Sequence, residues 1–296
     1  MSSPGPTPLR LAVNSSVAVL TLNRPETNNA IDANMIHHLV LAVEKLKTHK
    51  SRLRIVFLQS TGKWFSAGGD PHYFLEAKNR SEEENINNAK KFAQLLRDLN
   101  ELPCFVVGLV QGTAMGGGVG LVAVCDHVIM RRSSMLTFPE VKIGVIPATI
   151  SPYVVKKIGA GHARRLFMTG EAISAERALH MGLAHHLVDN EEQMTASATH
   201  QLEIIGNTAP DAMAAAKALV LNVHGRAVDD KLVEETATEF ARVKVSDECF
   251  NGISHLLFNQ PRPWTAKPLQ MPLPGDDVML HEKESTEPLE NNSLLG

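Results

Sequence analysis

Positive charge is not in excess in this sequence: 29 Lys and Arg stand against 32 Asp and Glu, a formal net charge of −3. Binding to nucleic acid needs a basic surface over the phosphates, so this balance argues against it. The pairs Lys156–Lys157 and Arg164–Arg165 read as solvated helix faces. Cysteine is also scarce, with Cys104, Cys125 and Cys249 odd in number and widely spaced. That argues against a disulfide framework and points to a reduced, intracellular protein. No apolar run reaches the length of a bilayer crossing. The opening MSSPGPTPLR lacks both the apolar core of a secretory signal and the Arg-rich character of an organelle presequence. A cytoplasmic location is expected, with mitochondrion and peroxisome left open. Histidine is plentiful, yet no HxH or HxxxH pair stands beside a third ligand, and the neighbours His37–His38 and His185–His186 point to different faces. No metal site is expected.

What the chain does have is an ordinary globular composition, 44% apolar and 21% charged. Residues 9–22 alternate as a β-hairpin turning at Asn14-Ser15-Ser16. Asp32 is placed to cap a helix running to about Lys47, with Met35, Ile36, Leu39, Val43 and Leu46 on one face. The runs RIVFLQ (54–59), CFVVGLV (104–110) and DHVIMR (126–131) read as strands buried on both sides. Ser81 with Glu84 marks the start of a second long helix ending before Pro103. Strands alternating with helices indicate an α/β core with parallel pairings. From about residue 159 the pattern becomes helical. The chain divides into a short flexible start (1–8), a core (9–200), a helical region (201–264) and a flexible tail rich in Pro, Glu, Asp and Asn (265–296).

Two Gly-rich turns follow buried strands. Ala67-Gly68-Gly69-Asp70 opens one helix and Gly116-Gly117-Gly118 another. Backbone N–H groups at such places have no intrahelical partner and can point into a crevice. Two of them, converging from separate loops, would form an oxyanion hole. Either loop alone is equally well a tight strand-to-helix turn.

Six segments in order carry a family pattern: LNRPETNNAID (22–32), FSAGGD (65–70), QGTAMGGGVGL (111–121), CDHVIM, PEVKIGVIP (139–147) and the helix KKIGAGHARRLFMTGEAISAERALHMGL (156–183). Over residues 9–264 the chain resembles the crotonase superfamily of enoyl-CoA hydratases and isomerases. The resemblance implies a spiral of ββα turns with a C-terminal helical trimerisation region, and trimers often paired as hexamers. It implies an acyl-CoA thioester as substrate, with coenzyme A part of that substrate and no separate cofactor. By position, the oxyanion N–H groups belong to Gly69 and Gly117. The family usually has alanine where Gly69 stands. The carbonyls of Ala67 and Gly68 would face the CoA adenine, and Asp70 would cap a helix.

Glu140 matches the family's catalytic glutamate, where a carboxylate can move a proton at the thioester α-carbon and burial would raise its pKa. Two-glutamate hydratases carry a second glutamate where this sequence has Gly120. One carboxylate suits an isomerase that shifts a double bond between the 3,4 and 2,3 positions. Yet GGGVGLVAVCD with EVKIGVIPATISPYVVKKIG resembles the bacterial-type methylglutaconyl-CoA hydratases, which also carry glycine there. The expected activity is hydration of a short or branched 2-enoyl-CoA, with 3,2-enoyl-CoA isomerase as the alternative. A third possibility is a non-catalytic crotonase-fold protein that binds a partner or RNA. His72, Thr149 and Ser151 are weaker pocket candidates, the last two equally suited to cap the helix near Pro152. Asp126 is expected to pair with an arginine. Glu26 and Phe258-Asn259-Gln260-Pro261 remove positive charge where CoA phosphates are expected, leaving Lys63 or Arg24 as substitutes.

Overall fold

A computed structural model describes residues 7–49 and 53–280. The hairpin forms because Asn14 folds back on its own backbone. Its Oδ1 accepts from the N–H groups of Ser16 (3.0 Å) and Val17 (2.8 Å), reversing the chain. This sets β1 (Leu9–Val13) antiparallel to β2 (Val17–Leu22), with Leu11 opposite Leu20. Asp32 then caps α1 (Ala33–Lys47) by accepting from Met35 N–H at 2.7 Å, an interaction worth about 1 kcal/mol.

A strand pair now recurs three times: β3 (Ile55–Ser60) with β4 (Trp64–Ser66), β5 (Phe105–Val110) with β6 (Thr113–Met115), and β7 (His127–Arg131) with β8 (Met135–Thr137). The first two pairs are followed by helices, α2 (Pro71–Glu76) and α4 (Gly117–Ala123). The third leads into a 3-10 turn at Pro139–Ile143. Between α2 and β5 runs α3 (Glu82–Glu101), opened by a capping box between Ser81 and Glu84. The leading strands, with β10 (His186–Val188), build a six-stranded sheet in the order β1-β2-β3-β5-β7-β10, parallel from β2 onward. The trailing strands, with β9 (Ala172–Ser174), build a second sheet, β4-β6-β8-β9. This stack of ββα turns is the expected α/β spiral.

Alternation along the central strands explains why both faces are apolar. Val56, Leu58 and Val106 face α1 and α3, in a cluster with Leu39, Leu95 and Leu99. Ile55, Phe57 and Val107 face the other way, in a cluster with Met194, Ala198, Leu202 and Ile205 of α7 (Glu191–Gly206). A boundary near residue 200 therefore falls inside α7, a helix packed on the large sheet. Beyond it follow α8 (Pro210–Val223), α9 (Asp230–Lys244) and α10 (Asp247–Phe258); before it lie α5 (Ser151–Thr169) and α6 (Ala175–Met181).

The expected flexible tail is corrected over its first half. Val278 N–H donates to Leu11 O at 2.7 Å and Val13 N–H to Asp276 O at 3.1 Å, so the chain runs back along the edge strand β1. Leu269, Met271, Val278 and Leu280 pack against the two apolar clusters. These four side chains and the open edge of β1 are the physical reason for the docking. Residues 281–296, like residues 1–6 of the flexible start, lie outside the described residues.

Candidate active site

The first Gly-rich turn is stitched to residues 28–31. Ala67 N–H donates to Asn28 O (2.8 Å), Asp70 N–H to Ile31 O (3.0 Å), and Gly68 N–H to Ser66 Oγ (3.1 Å). Gly68 O in turn accepts from Ile31 N–H at 2.7 Å. Among the described residues, this leaves Gly69 N–H as the donor of the turn without a protein acceptor. In the second turn Gly116 N–H donates to Thr137 O at 3.0 Å, while Val119 and Gly120 N–H both donate to Gly116 O. Gly117, the first residue of α4, has its N–H ahead of the first intrahelical bond.

The two turns touch. A Cβ at Gly68 would lie 2.5 Å from Met115 O and 3.4 Å from Gly117 N, and Gly68 has φ of +78°. Space and backbone both require glycine there. Gly69 and Gly117 line one cavity of about 420 Å³, together with Ala67 and Glu140. Most of the remaining wall is apolar, including Ile31, Phe92 and Ile150.

Glu140 sits in the 3-10 turn after β8, with its carboxylate over Gly116: a Cβ there would meet Glu140 Oε1 at 2.8 Å. Oε2 is buried with no hydrogen-bond partner among the described residues. Burial raises the carboxyl above its ordinary range, a shift partly opposed by a bond from its own backbone. The cavity lining thus includes two N–H donors without a protein acceptor and a carboxyl whose pKa burial raises. Such a set can hold a developing oxyanion and move a proton beside it.

A sequence model of the enoyl-CoA hydratase/isomerase family matches residues 12–264. The chain belongs to that family. It is 31% identical over 214 residues to a putative enoyl-CoA hydratase of Thermus thermophilus, spanning 72% of this chain and 84% of that one. Among solved structures it resembles an enoyl-CoA hydratase from Shewanella pealeana (30% identity, TM-score 0.82, covering 87% of this chain and 96% of that one). A putative enoyl-CoA hydratase/isomerase from Legionella pneumophila is similar at 34% identity and TM-score 0.80, covering 87% and 99%. The protein is accordingly an acyl-CoA enzyme of the hydratase/isomerase type.

Around this cavity the other residues singled out in the sequence take different places. Gly68 lies buried beneath the cavity wall with its carbonyl engaged by Ile31, and Asp70 caps α2 through His72 N–H at 2.8 Å. His72 is exposed, and its neighbours Tyr73 and Phe74 line the cavity instead. Thr149 lines it too; Ser151 does not, and its hydroxyl donates to Ala148 O at 2.8 Å while Ile150 occupies the cap position. Asp126 pairs with Lys217 at 2.7 Å, a lysine where an arginine was expected. Arg24 is held by Asp32 at 2.6 Å, which makes it a poor phosphate ligand, while Lys63 is exposed.

The residue opposite Gly120 escaped sequence reasoning. A Cβ at 120 would lie 2.3 Å from Ile150 Cγ2 and 3.0 Å from Ile150 Cβ, so the room a second glutamate would need is filled. Arg80 was missed as well. It is the one cation lining the cavity among the described residues. Its guanidinium lies 4.6 Å from the Tyr73 ring centroid and pairs at 2.6 Å with the exposed Glu76. No local signal marks a cavity arginine; only the fold brings it to this wall.

Proposed function

We propose that this enzyme hydrates a short or branched 2-enoyl thioester of coenzyme A, with the thioester oxygen held by the N–H groups of Gly69 and Gly117 and protons moved by Glu140. The observation that carries the reading is the buried, unpartnered Oε2 of Glu140 beside two free backbone donors in one largely apolar cavity. As water oxygen attacks the β-carbon, Glu140 takes one water proton and the double-bond electrons move onto the thioester oxygen. The two N–H groups stabilise that enolate; losing one such donor typically costs 10²–10³ in rate. Glu140 then returns the proton to the α-carbon, so one carboxylate completes the addition and ends as it began.

A second reading, a 3,2-enoyl-CoA isomerase, is favoured by one specific feature. Gly120 and the Ile150 that covers it leave no place for a second carboxylate. A single base suffices to carry a proton between the α- and γ-carbons. Arg80 supports a methylglutaconyl-like acyl chain, because a cation in an otherwise largely apolar wall can meet a distal carboxylate. A partner- or RNA-binding role finds less support: Lys157 donates to Cys125 O at 2.6 Å and Arg165 pairs with Glu171 at 2.7 Å, so one member of each basic pair is already engaged.

The enzyme works as a homotrimer or hexamer in this reading. Supporting it are the large apolar side chains left exposed on the last helices, among them Phe240, Phe250, Leu256 and Phe258. A reduced, cytoplasmic setting is supported by three free cysteines, two of them buried with thiols pushed up to about 12. Among the described residues no helix is long and apolar enough to cross a membrane.

The test is to incubate the enzyme with crotonyl-CoA, 3-methylglutaconyl-CoA and 3-hexenoyl-CoA, following water addition and double-bond migration separately. Glu140→Gln is expected to lower the observed activity at least about 100-fold. Undiminished turnover in that variant overturns the assignment.

A further inference from the structure

Gly69 has no backbone reason to be glycine, since it is absent from the positive-φ glycines. The reason is a neighbour. A Cβ at 69 would lie 2.3 Å from Phe74 Cζ, 2.7 Å from Cε2 and 3.3 Å from Cε1. The far end of the ring lies against the Cα of a residue that lines the cavity and whose N–H has no protein acceptor. Phe74 itself lines that cavity and is still 40% exposed, on a six-residue helix that buries none of its side chains. The ring is therefore no part of the core, and neither of the two large apolar clusters includes it.

We propose that Phe74 is a specificity-determining residue whose ring, seated in the space left by Gly69, forms the cavity wall against the acyl portion next to the thioester. Where a residue at 69 carries a methyl group, that wall is fixed to the backbone. Here the bulk is carried by the end of a flexible side chain on a marginally anchored helix. The wall can yield, and its size is set by Phe74. The inference rests on the acyl-thioester reading of this cavity and adds the group that discriminates acyl shape. A hydrophobic contact that admits or rejects one methyl group is worth about 10–200-fold in discrimination.

The test uses unreactive saturated thioesters, so that it does not depend on which reaction the enzyme performs. Calorimetry measures the binding of butyryl-CoA, 3-methylbutyryl-CoA and free CoA to the full chain and its variants. Phe74→Ala is expected to shift the ratio of the two acyl affinities at least about tenfold towards the branched chain, with free CoA unchanged. Phe74→Leu should fall between. Gly69→Ala, which expels the ring, should shift the ratio the same way. The double variant Gly69→Ala with Phe74→Ala should shift the ratio no further than Phe74→Ala alone, because both singles act on one contact. An unchanged ratio in Phe74→Ala, or shifts that multiply in the double variant, overturns the role of the ring while leaving the acyl-thioester reading intact. Failure of the parent enzyme to bind either acyl-CoA overturns both.

Discussion

Replacing Gly120 by alanine puts a methyl group where Ile150 already stands. The new Cβ would lie 2.3 Å from Ile150 Cγ2, more than 1 Å inside ordinary contact, and 3.0 Å from Ile150 Cβ. Those atoms belong to the root of a β-branched side chain that is 2% exposed, so no rotamer change removes both overlaps. Relief requires movement of α4 against the start of α5, an overpacking cost of about 1–3 kcal/mol. The gain in helix propensity from Gly to Ala offsets about 1 kcal/mol. A net loss of up to about 2 kcal/mol follows, and Gly120→Glu should cost more because its carboxylate would also be desolvated. Ile150→Ala alone should cost about 2–5 kcal/mol through the cavity it leaves. Combined with Gly120→Ala it fills that cavity, so the double variant should be more stable than the sum of the singles by about 1–2 kcal/mol. Urea unfolding at fixed protein concentration measures all four differences. A stabilising Gly120→Ala, or strict additivity in the double variant, would refute the claim that Ile150 occupies the place of a second carboxylate.

The remaining expectations concern charge. Glu140 has its folded-state pKa raised by burial, so the protonated form is favoured in the native protein and ionisation works against folding. Its favourable contribution is present in acid and lost as pH rises through the folded value; Glu140→Gln should therefore stabilise the enzyme at neutral pH and not in acid, and equal effects at both would refute this. For the same reason the acid limb of the pH–rate profile should lie above the ordinary carboxylate range, as rate measurements across acidic pH would show. Arg80→Met should lower kcat/KM for glutaconyl-CoA at least about tenfold while changing pent-2-enoyl-CoA little, if the guanidinium meets a distal carboxylate; equal losses would assign it to CoA or to the fold. His185 accepts Val128 N–H at Nδ1 (2.9 Å) and is pushed down to about 4 by burial, with Lys157 and His127 adding to the effect. NMR titration of its imidazole should show that depressed midpoint, and one near 6.5 would refute the burial argument.

Features set by neighbours in the chain were legible. The turn at Asn14, the cap at Asp32 and the box at Ser81 each use a side chain within three residues of its backbone partner. The long buried strands and the two Gly-rich turns were equally readable, because burial on both faces leaves uninterrupted apolar runs. The strands β4, β6, β8 and β9 were not; each has three residues, too few to display a period of two. Contacts between distant parts of the chain escaped as well. Asp126 meets Lys217 across 91 positions, and nothing local prefers lysine to arginine there. The docked stretch 266–280 was read by its prolines and acids. Four apolar side chains and an unpaired strand edge outweighed that composition.

The candidate donor at Gly69 is best understood as what remains after its surroundings are satisfied. Asn29 is fully buried at φ of +54°, and its amide donates to Thr61 O at 2.9 Å and Trp64 O at 3.0 Å. Its Oδ1 accepts from Arg24 N–H at 2.8 Å, and its carbonyl accepts from Ser66 Oγ at 2.8 Å. This one asparagine fixes residues 24–31 against the approach to the first turn. The segment so fixed then takes the N–H groups of Ala67 and Asp70 and the carbonyl of Gly68. A buried N–H without an acceptor costs free energy comparable to a lost hydrogen bond, so each neighbour is paired and Gly69 faces the cavity, where a ligand can supply the acceptor. The opening segment LNRPETNNAID thus meets the first turn through its backbone and adds the apolar Ile31 side chain to the cavity wall. It aims the donor while supplying no titrating group to the cavity.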